Sequence, residues 1–219
     1  MYITYILCDL DNTLYPRSCG LFHLIEERIK EYLRIRLHLT QAEAAALRRD
    51  YLQTYGFTLV GLMKHNRIDP EDYVDFVHEV DVEGTIGKDR DLARMMSMIA
   101  LEKAIVTNST TRHARRVLRS LGVETFFAHI FDIAFMGYCP KPHYRAFRKV
   151  LDHLGVGAEE CLMLDDHPPT VATARALGMT TIYVGEAEQV EADYQISEIK
   201  GLEGVLRDLQ LLDAKGVVQ

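Results

Sequence analysis

Ile3-Thr4-Tyr5-Ile6-Leu7-Cys8-Asp9-Leu10-Asp11-Asn12-Thr13 opens the chain with an apolar, β-forming run that breaks off at an acid. A short continuous apolar run of this kind suits a strand buried on both faces of a sheet. In open α/β sheets, sites form beyond the carboxyl ends of the strands. Asp9 and Asp11, the first charged groups after the run, are therefore candidate functional residues.

The pattern downstream supports such a sheet. From about Leu21 to His78 it is helical throughout: Leu21, Leu24, Ile25, Ile29, Tyr32 and Leu33 recur at helical spacing, opposite Glu26, Glu27, Lys30 and Glu31. Thr40-Gln41-Ala42-Glu43 fits a capping box, and Asp69-Pro70-Glu71-Asp72 a helix start with proline where its missing N–H is harmless. Several helices without a strand look like an insertion. After Gly87 the rhythm alternates, with strand candidates at Ala104–Thr107, His129–Ile133, Cys161–Leu164 and Thr180–Val184. The intervening helices end in Leu121-Gly122-Val123, Leu154-Gly155-Val156 and Leu177-Gly178-Met179, where glycine adopts the left-handed turn that stops a helix. This predicts an α/β fold with a mainly parallel sheet covered on both faces. Residues 201–212 read as a last amphipathic helix and residues 213–219 as a loose tail.

Polar groups recur where the apolar runs stop. The second strand delivers Thr107-Asn108-Ser109 and the fourth Asp165-Asp166, while Lys141 lies between Pro140 and Pro142 in the connection before that strand. Helix capping explains any one of these acids, but not four such places converging on one rim. Together they suit attack on phosphorus. A carboxylate, Asp9, can attack as nucleophile, and Asp11 can protonate the leaving alkoxide and then activate water. A phosphate beside a carboxylate needs a cation. Mg²⁺, which takes one or two carboxylates plus substrate oxygens, fits Asp9 with one of Asp165 and Asp166. Thr107 and Asn108 are placed to donate hydrogen bonds to phosphoryl oxygens, and Lys141 to neutralise charge on phosphate and nucleophile.

Composition narrows the partners. The 219 residues carry a formal net charge of −7, which argues against binding a nucleic acid polymer but leaves room for a small phosphorylated metabolite held through a cation. No apolar run is long enough for a membrane span, and residues 1–7 lack the features of a signal peptide. Cys8, Cys19, Cys139 and Cys161 share no metal-ligand spacing, so reduced thiols in a cytoplasmic protein are expected. Arg112, Arg115, Arg116 and Arg119 read as a solvated helix face, and Met95, Met96 and Met98 as core filler.

Asp9-Leu10-Asp11-Asn12-Thr13, Thr107-Asn108, Lys141-Pro142 and Asp165-Asp166 resemble, in order, the four motifs of the haloacid dehalogenase superfamily. The resemblance implies a Rossmann-like core formed by residues 1–16 and 82–219, and a helical cap over residues 17–81. It implies Asp9 as nucleophile, Asp11 as acid/base with its backbone carbonyl on Mg²⁺, Asp166 as direct metal ligand and Asp165 as ligand or supporting group. Dehalogenases of the superfamily lack an acid at the Asp11 position, so phosphomonoester hydrolysis is the expected reaction. A catalytically idle binding module on the same fold is the rival reading, disfavoured by the intact set of Asp9, Asp11, Lys141 and Asp166.

A narrower resemblance is to the pyrimidine 5′-nucleotidase branch, through Asp11-Asn12-Thr13-Leu14-Tyr15-Pro16 and Tyr55-Gly56-Phe57-Thr58-Leu59-Val60-Gly61-Leu62. It implies nucleoside 5′-monophosphates as substrates, pyrimidines preferred, with Tyr15 near the mouth and Thr58, His65 and Asn66 as polar contacts. Phosphoglycolate or a sugar phosphate is the alternative substrate. The chain departs from the family after the fourth motif, where relatives read Asp-Asp-Ser-x-x-Asn and this sequence reads Asp165-Asp166-His167-Pro168-Pro169-Thr170.

Overall fold

The computed structural model describes residues 2–212. Six parallel strands form one sheet: β1 (Tyr5–Cys8), β2 (Glu102–Val106), β3 (His129–Phe131), β4 (Cys161–Asp165), β5 (Thr180–Val184) and β6 (Tyr194–Ile196). Their order is β3-β2-β1-β4-β5-β6, all neighbours parallel. This is the doubly wound, Rossmann-like arrangement, with the order reversing beside β1. The expected fold class is therefore the observed one. β6 went unforeseen because three half-exposed residues with glutamine in the middle carry little apolar signal.

Between β1 and β2 the chain runs through α1 (Leu21–Arg36), α2 (Gln41–Tyr55), α3 (Thr58–Asn66), α4 (Pro70–Val77), α5 (Val82–Thr85) and α6 (Arg90–Met98). The capping box at Thr40 and Glu43 starts α2, and Asp69 caps α4 ahead of Pro70. The alternating half adds α7 (Thr111–Leu121), α8 (Tyr144–Leu154), α9 (Pro168–Ala176) and α10 (Leu202–Asp208). Gly122 and Gly155 end α7 and α8 in the left-handed region, and Gly178 follows α9 at φ 99°. The last helix is shorter than the expected 201–212, and the tail at 213–219 lies outside the described residues.

Alternation on the strands sets two apolar layers. Ile6 and Cys8 of β1 point into the layer with α6, α7 and α10, while Leu7 joins the layer with α8 and the interior of α1–α4. That second layer runs continuously from Met163 and Phe147 to Tyr32, Leu59 and Tyr73, so the helical segment shares its core with the sheet. No helix among the described residues is long and apolar enough to cross a membrane. All four cysteines are free.

Candidate active site

β1 hands Asp9 to the carboxyl edge of the sheet at its centre, where the Asp9 N–H still bonds the Leu164 carbonyl of the neighbouring strand. The side chain is held from two sides: Lys141 Nζ donates to Oδ1 at 2.7 Å and Thr13 Oγ1 to Oδ2 at 3.0 Å. Lys141 Nζ also donates to Asp165 Oδ2 at 2.6 Å. Burial opposes the Lys141 charge, but Asp165 and Asp9 outweigh it and hold the ammonium well above its usual range. Asp9 itself is pushed upward by burial and by Asp165 and Asp166, with Lys141 pulling the other way. Burial and Asp165 push Asp166 up to about 6.

Oxygens of Asp9, Asp165 and Asp166 lie within 4.8 Å of one another. Asp165 has both oxygens committed, one to Lys141 and one to the His167 N–H at 2.9 Å. Asp166, beside Asn12, is the less encumbered of the pair. Asn12 sits at φ 64°, a region asparagine tolerates, in the turn between the two acids of the first motif. With all three carboxylates ionised and Lys141 charged, the cluster carries two uncompensated negative charges. A hard divalent cation with oxygen ligands fits that donor set.

Asp11 is the most heavily bonded acid of the site. Tyr15 Oη and Ser109 Oγ each donate to it at 2.6 Å, and His113 Nε2 lies 2.9 Å from Oδ1. Burial works against the carboxylate, but His113, Ser109 and Tyr15 outweigh it and hold Asp11 below the usual range. Because a carboxylate only accepts, Nε2 carries the proton, which leaves the His113 Nδ1 buried without a partner. The His78 ring packs against His113 with centroids 4.9 Å apart.

These groups form the floor of a cavity of about 250 Å³ whose upper wall comes from α1–α4. Asp9, Asp11, Thr107, Asn108, Lys141, Asp165, Asp166 and Thr58 all line it, so the structure brings these predicted residues together. Others are placed differently. Tyr15 is only 2% exposed and turns its hydroxyl to Asp11, which makes it a support for that acid and not a mouth residue. His65 and Asn66 do not line the cavity, because the Tyr55 and Tyr51 hydroxyls engage them between α2 and α3. The Asn108 amide is bonded at both ends to the Lys141 backbone, at 2.9 and 3.0 Å, so its side chain positions the lysine and keeps one amide N–H to spare at the cavity wall. Thr170 Oγ1 lies 3.1 Å from His167 Nδ1, so it braces the loop and leaves the aspartates alone.

Sequence reading missed His113, His78, Arg17, Arg48 and Tyr73 as wall or support residues. His113 had one signal: it shares the buried phase of α7 with Ala114, Val117 and Leu118. The arginines Arg115, Arg116 and Arg119 pair outside with Glu124 and Glu83, as a solvated face should.

A doubly wound sheet whose central strand presents an aspartate to a lysine and to two further aspartates defines a class of hydrolase. Residues 3–178 match the model of the haloacid dehalogenase-like hydrolases, and the chain belongs to that family. It is similar to phosphate metabolism protein 8 of Saccharomyces cerevisiae, 27% identical over 85% of this chain and 61% of that protein, so it spans under two thirds of that relative. It is also similar to glyceraldehyde 3-phosphate phosphatase of Methanocaldococcus jannaschii, 26% identical over 94% of this chain and 97% of that one. Among solved structures, a HAD phosphatase from Thermococcus onnurineus superposes with TM-score 0.64 at 20% identity, covering 94% of this chain and 98% of that one. A Bacillus subtilis HAD-hydrolase bound to magnesium superposes at 0.63 with 17% identity, covering 94% and 99%.

Proposed function

We propose that the chain is a magnesium-dependent phosphomonoesterase that works through an aspartyl phosphate on Asp9. The observation that carries this reading is the Asp9 carboxylate at the cavity floor, fixed by Lys141 and Thr13 and facing Asp166. Asp9 attacks phosphorus, an Asp9 Oδ–P bond forms, and the ester P–O bond breaks. Asp11, ionised in the free site, takes up a proton as the anionic ester binds beside it and passes that proton to the leaving alkoxide. Water then attacks phosphorus, gives its proton to Asp11, and releases phosphate with the Asp9 carboxylate restored. Lys141 holds the nucleophile and offsets the charge that gathers on the phosphoryl oxygens. Asp9, Asp166 and the Asp11 carbonyl would hold Mg²⁺, which supplies charge neutralisation and orientation for the phosphoryl group. The family match, a relative named for phosphate metabolism and a relative named a phosphatase support this chemistry.

Residues 17–81 act as a cap that closes the cavity from above and selects the ester. Nucleoside 5′-monophosphates, pyrimidines preferred, are the proposed substrates, because a cavity of about 250 Å³ with an apolar upper wall suits one flat ring. A triose or sugar phosphate is the second reading, favoured by the full-length likeness to glyceraldehyde 3-phosphate phosphatase. Comparing kcat/KM for UMP, CMP, AMP, phosphoglycolate and glyceraldehyde 3-phosphate, with Mg²⁺ and with EDTA, tests all parts. Hydrolysis that survives exhaustive chelation contradicts the metal, and superior turnover of the triose phosphate contradicts the nucleotide.

A further inference from the structure

The cavity has a second polar pole, made by the helical segment alone. We propose that Arg48, Tyr73 and Thr58 form a recognition site for an uncharged carbonyl oxygen on the organic body of the substrate, at the end remote from the phosphate. The inference rests on the phosphomonoesterase reading above and adds what the ester must carry.

All three residues line the cavity wall, from α2, α4 and α3. The Arg48 Nε and the Tyr73 hydroxyl are both shut off from solvent and have no hydrogen-bond partner among the described residues. Tyr73 is only 1% exposed, and Arg48 and Thr58 flank its hydroxyl. Buried donors left without an acceptor are rare and costly, so two of them on the wall of one cavity point to an acceptor that arrives with the ligand. Around them the wall from α1–α4 is apolar, with Phe22, Ile25, Ile29, Leu52, Phe57 and Val77; the other polar wall residues of the segment, Arg17 and His78, lie outside those helices.

Charge decides what kind of acceptor. Arg48 Nη2 is already paired with Glu26 Oε1 at 2.6 Å. The guanidinium charge is thus compensated while its Nε–H stays available. A carboxylate entering here would meet Glu26 with no unmatched cation to receive it. A carbonyl oxygen has two lone pairs and no charge, which matches one arginine N–H and one hydroxyl donor. The substrate is then a phosphomonoester with a compact, flat, apolar-faced body ending in a carbonyl. Esters without such an oxygen leave both donors unpaired and are discriminated against.

The test compares UMP, which carries ring carbonyls, with phenyl phosphate, whose ring has no acceptor, on the full chain and its Y73F and R48M variants. Melting temperatures confirm that each variant folds. The parent should prefer UMP. Y73F and R48M should each lower kcat/KM for UMP roughly tenfold to a hundredfold, with phenyl phosphate changed by less than about threefold. Equal losses on both esters would mean that these residues only pack the wall, and unchanged UMP hydrolysis would remove them from recognition; either overturns the proposal while phosphatase activity stands. If the parent hydrolyses no ester, the phosphatase reading fails instead. Calorimetric binding of uridine then decides this site: binding lost in Y73F supports it, and no binding to the parent overturns it.

Discussion

Asp9 and Asp11 lie two residues apart on one turn, yet their surroundings assign them opposite tasks. Asp9 faces one ammonium and two further carboxylates, so its charge is crowded and available to an electrophile. Replacing it by asparagine removes one of those crowded charges along with the proposed nucleophile. Asp9→Asn should therefore turn over at less than about a thousandth of the parent rate while its melting temperature in EDTA stays equal or rises. Activity near that of the parent would remove Asp9 from the chemistry. Asp11 is instead held by three donors, and His113 is the one that comes from a helix, α7, with a fully buried side chain. Without that ring Asp11 can turn from the leaving group. His113→Ala should slow alkyl phosphates about tenfold to a hundredfold and phenyl phosphate much less, since a better leaving group needs less acid help. His113→Gln, whose amide can donate from nearly the same place, should recover much of the loss. If glutamine does no better than alanine, positioning of Asp11 is not what His113 contributes.

The helical segment shows what periodicity can and cannot deliver. The start of α2 at Thr40 and of α4 at Asp69 was legible because cap chemistry is local, as were the strands that lead to Asp9, Thr107 and Asp165. Which way a polar residue of a short helix faces is not local. His65 and Asn66 lie near the end of α3, and only the packing of α3 on α2 turns them to Tyr55 and Tyr51 and away from the cavity. The same packing put Arg48 and Tyr73, unremarkable in sequence, on the cavity wall. It depends on Gly61: a Cβ there would meet the Tyr51 ring carbons at 2.4, 2.5 and 2.8 Å. Tyr51 has little room to yield, with its hydroxyl on Asn66 and its ring against Tyr55 and His65. Gly61→Ala gains about 1 kcal/mol of helix propensity but loses roughly 1–3 kcal/mol to overpacking, so a net loss is expected. Thermal denaturation should show a lower melting temperature, with UMP affected more than phenyl phosphate because the α2–α3 wall shifts. A variant as stable as the parent would mean that the two helices separate freely.

At the scale of the whole molecule, the insertion and the sheet share one apolar layer, and the polar seam between them runs through two histidines. His78 follows α4 and His113 lies in α7, so their contact joins the helical segment to the core. Burial, and then the His113 ring, push the His78 imidazole down to about 4; Asp11 and the Val74 carbonyl, 2.7 Å from Nδ1, favour the charged form and are outweighed. Folding is thus linked to pH through this ring. Its ordinary value is 6.5, so between 6.5 and about 4 the unfolded chain binds the proton and the folded chain does not. The stabilisation is fully present above 6.5 and declines as the pH falls toward 4. Its size is of order 1–3 kcal/mol, or roughly 2–4 °C of melting temperature for each kcal/mol in a chain of this length. Asp11, held below its usual range, loses its contribution only in more acidic solution, which keeps the two effects apart. Asp9 and Asp166, pushed up by burial and crowding, act the other way and gain stability as they take up protons in the same interval, so the parent curve is a sum. The melting temperature of the parent minus that of His78→Phe, which keeps a ring without a titrating nitrogen, should fall as the pH drops from 6.5 toward 4. A variant curve parallel to the parent's across the interval would show that the seam is not where acid first loosens the fold.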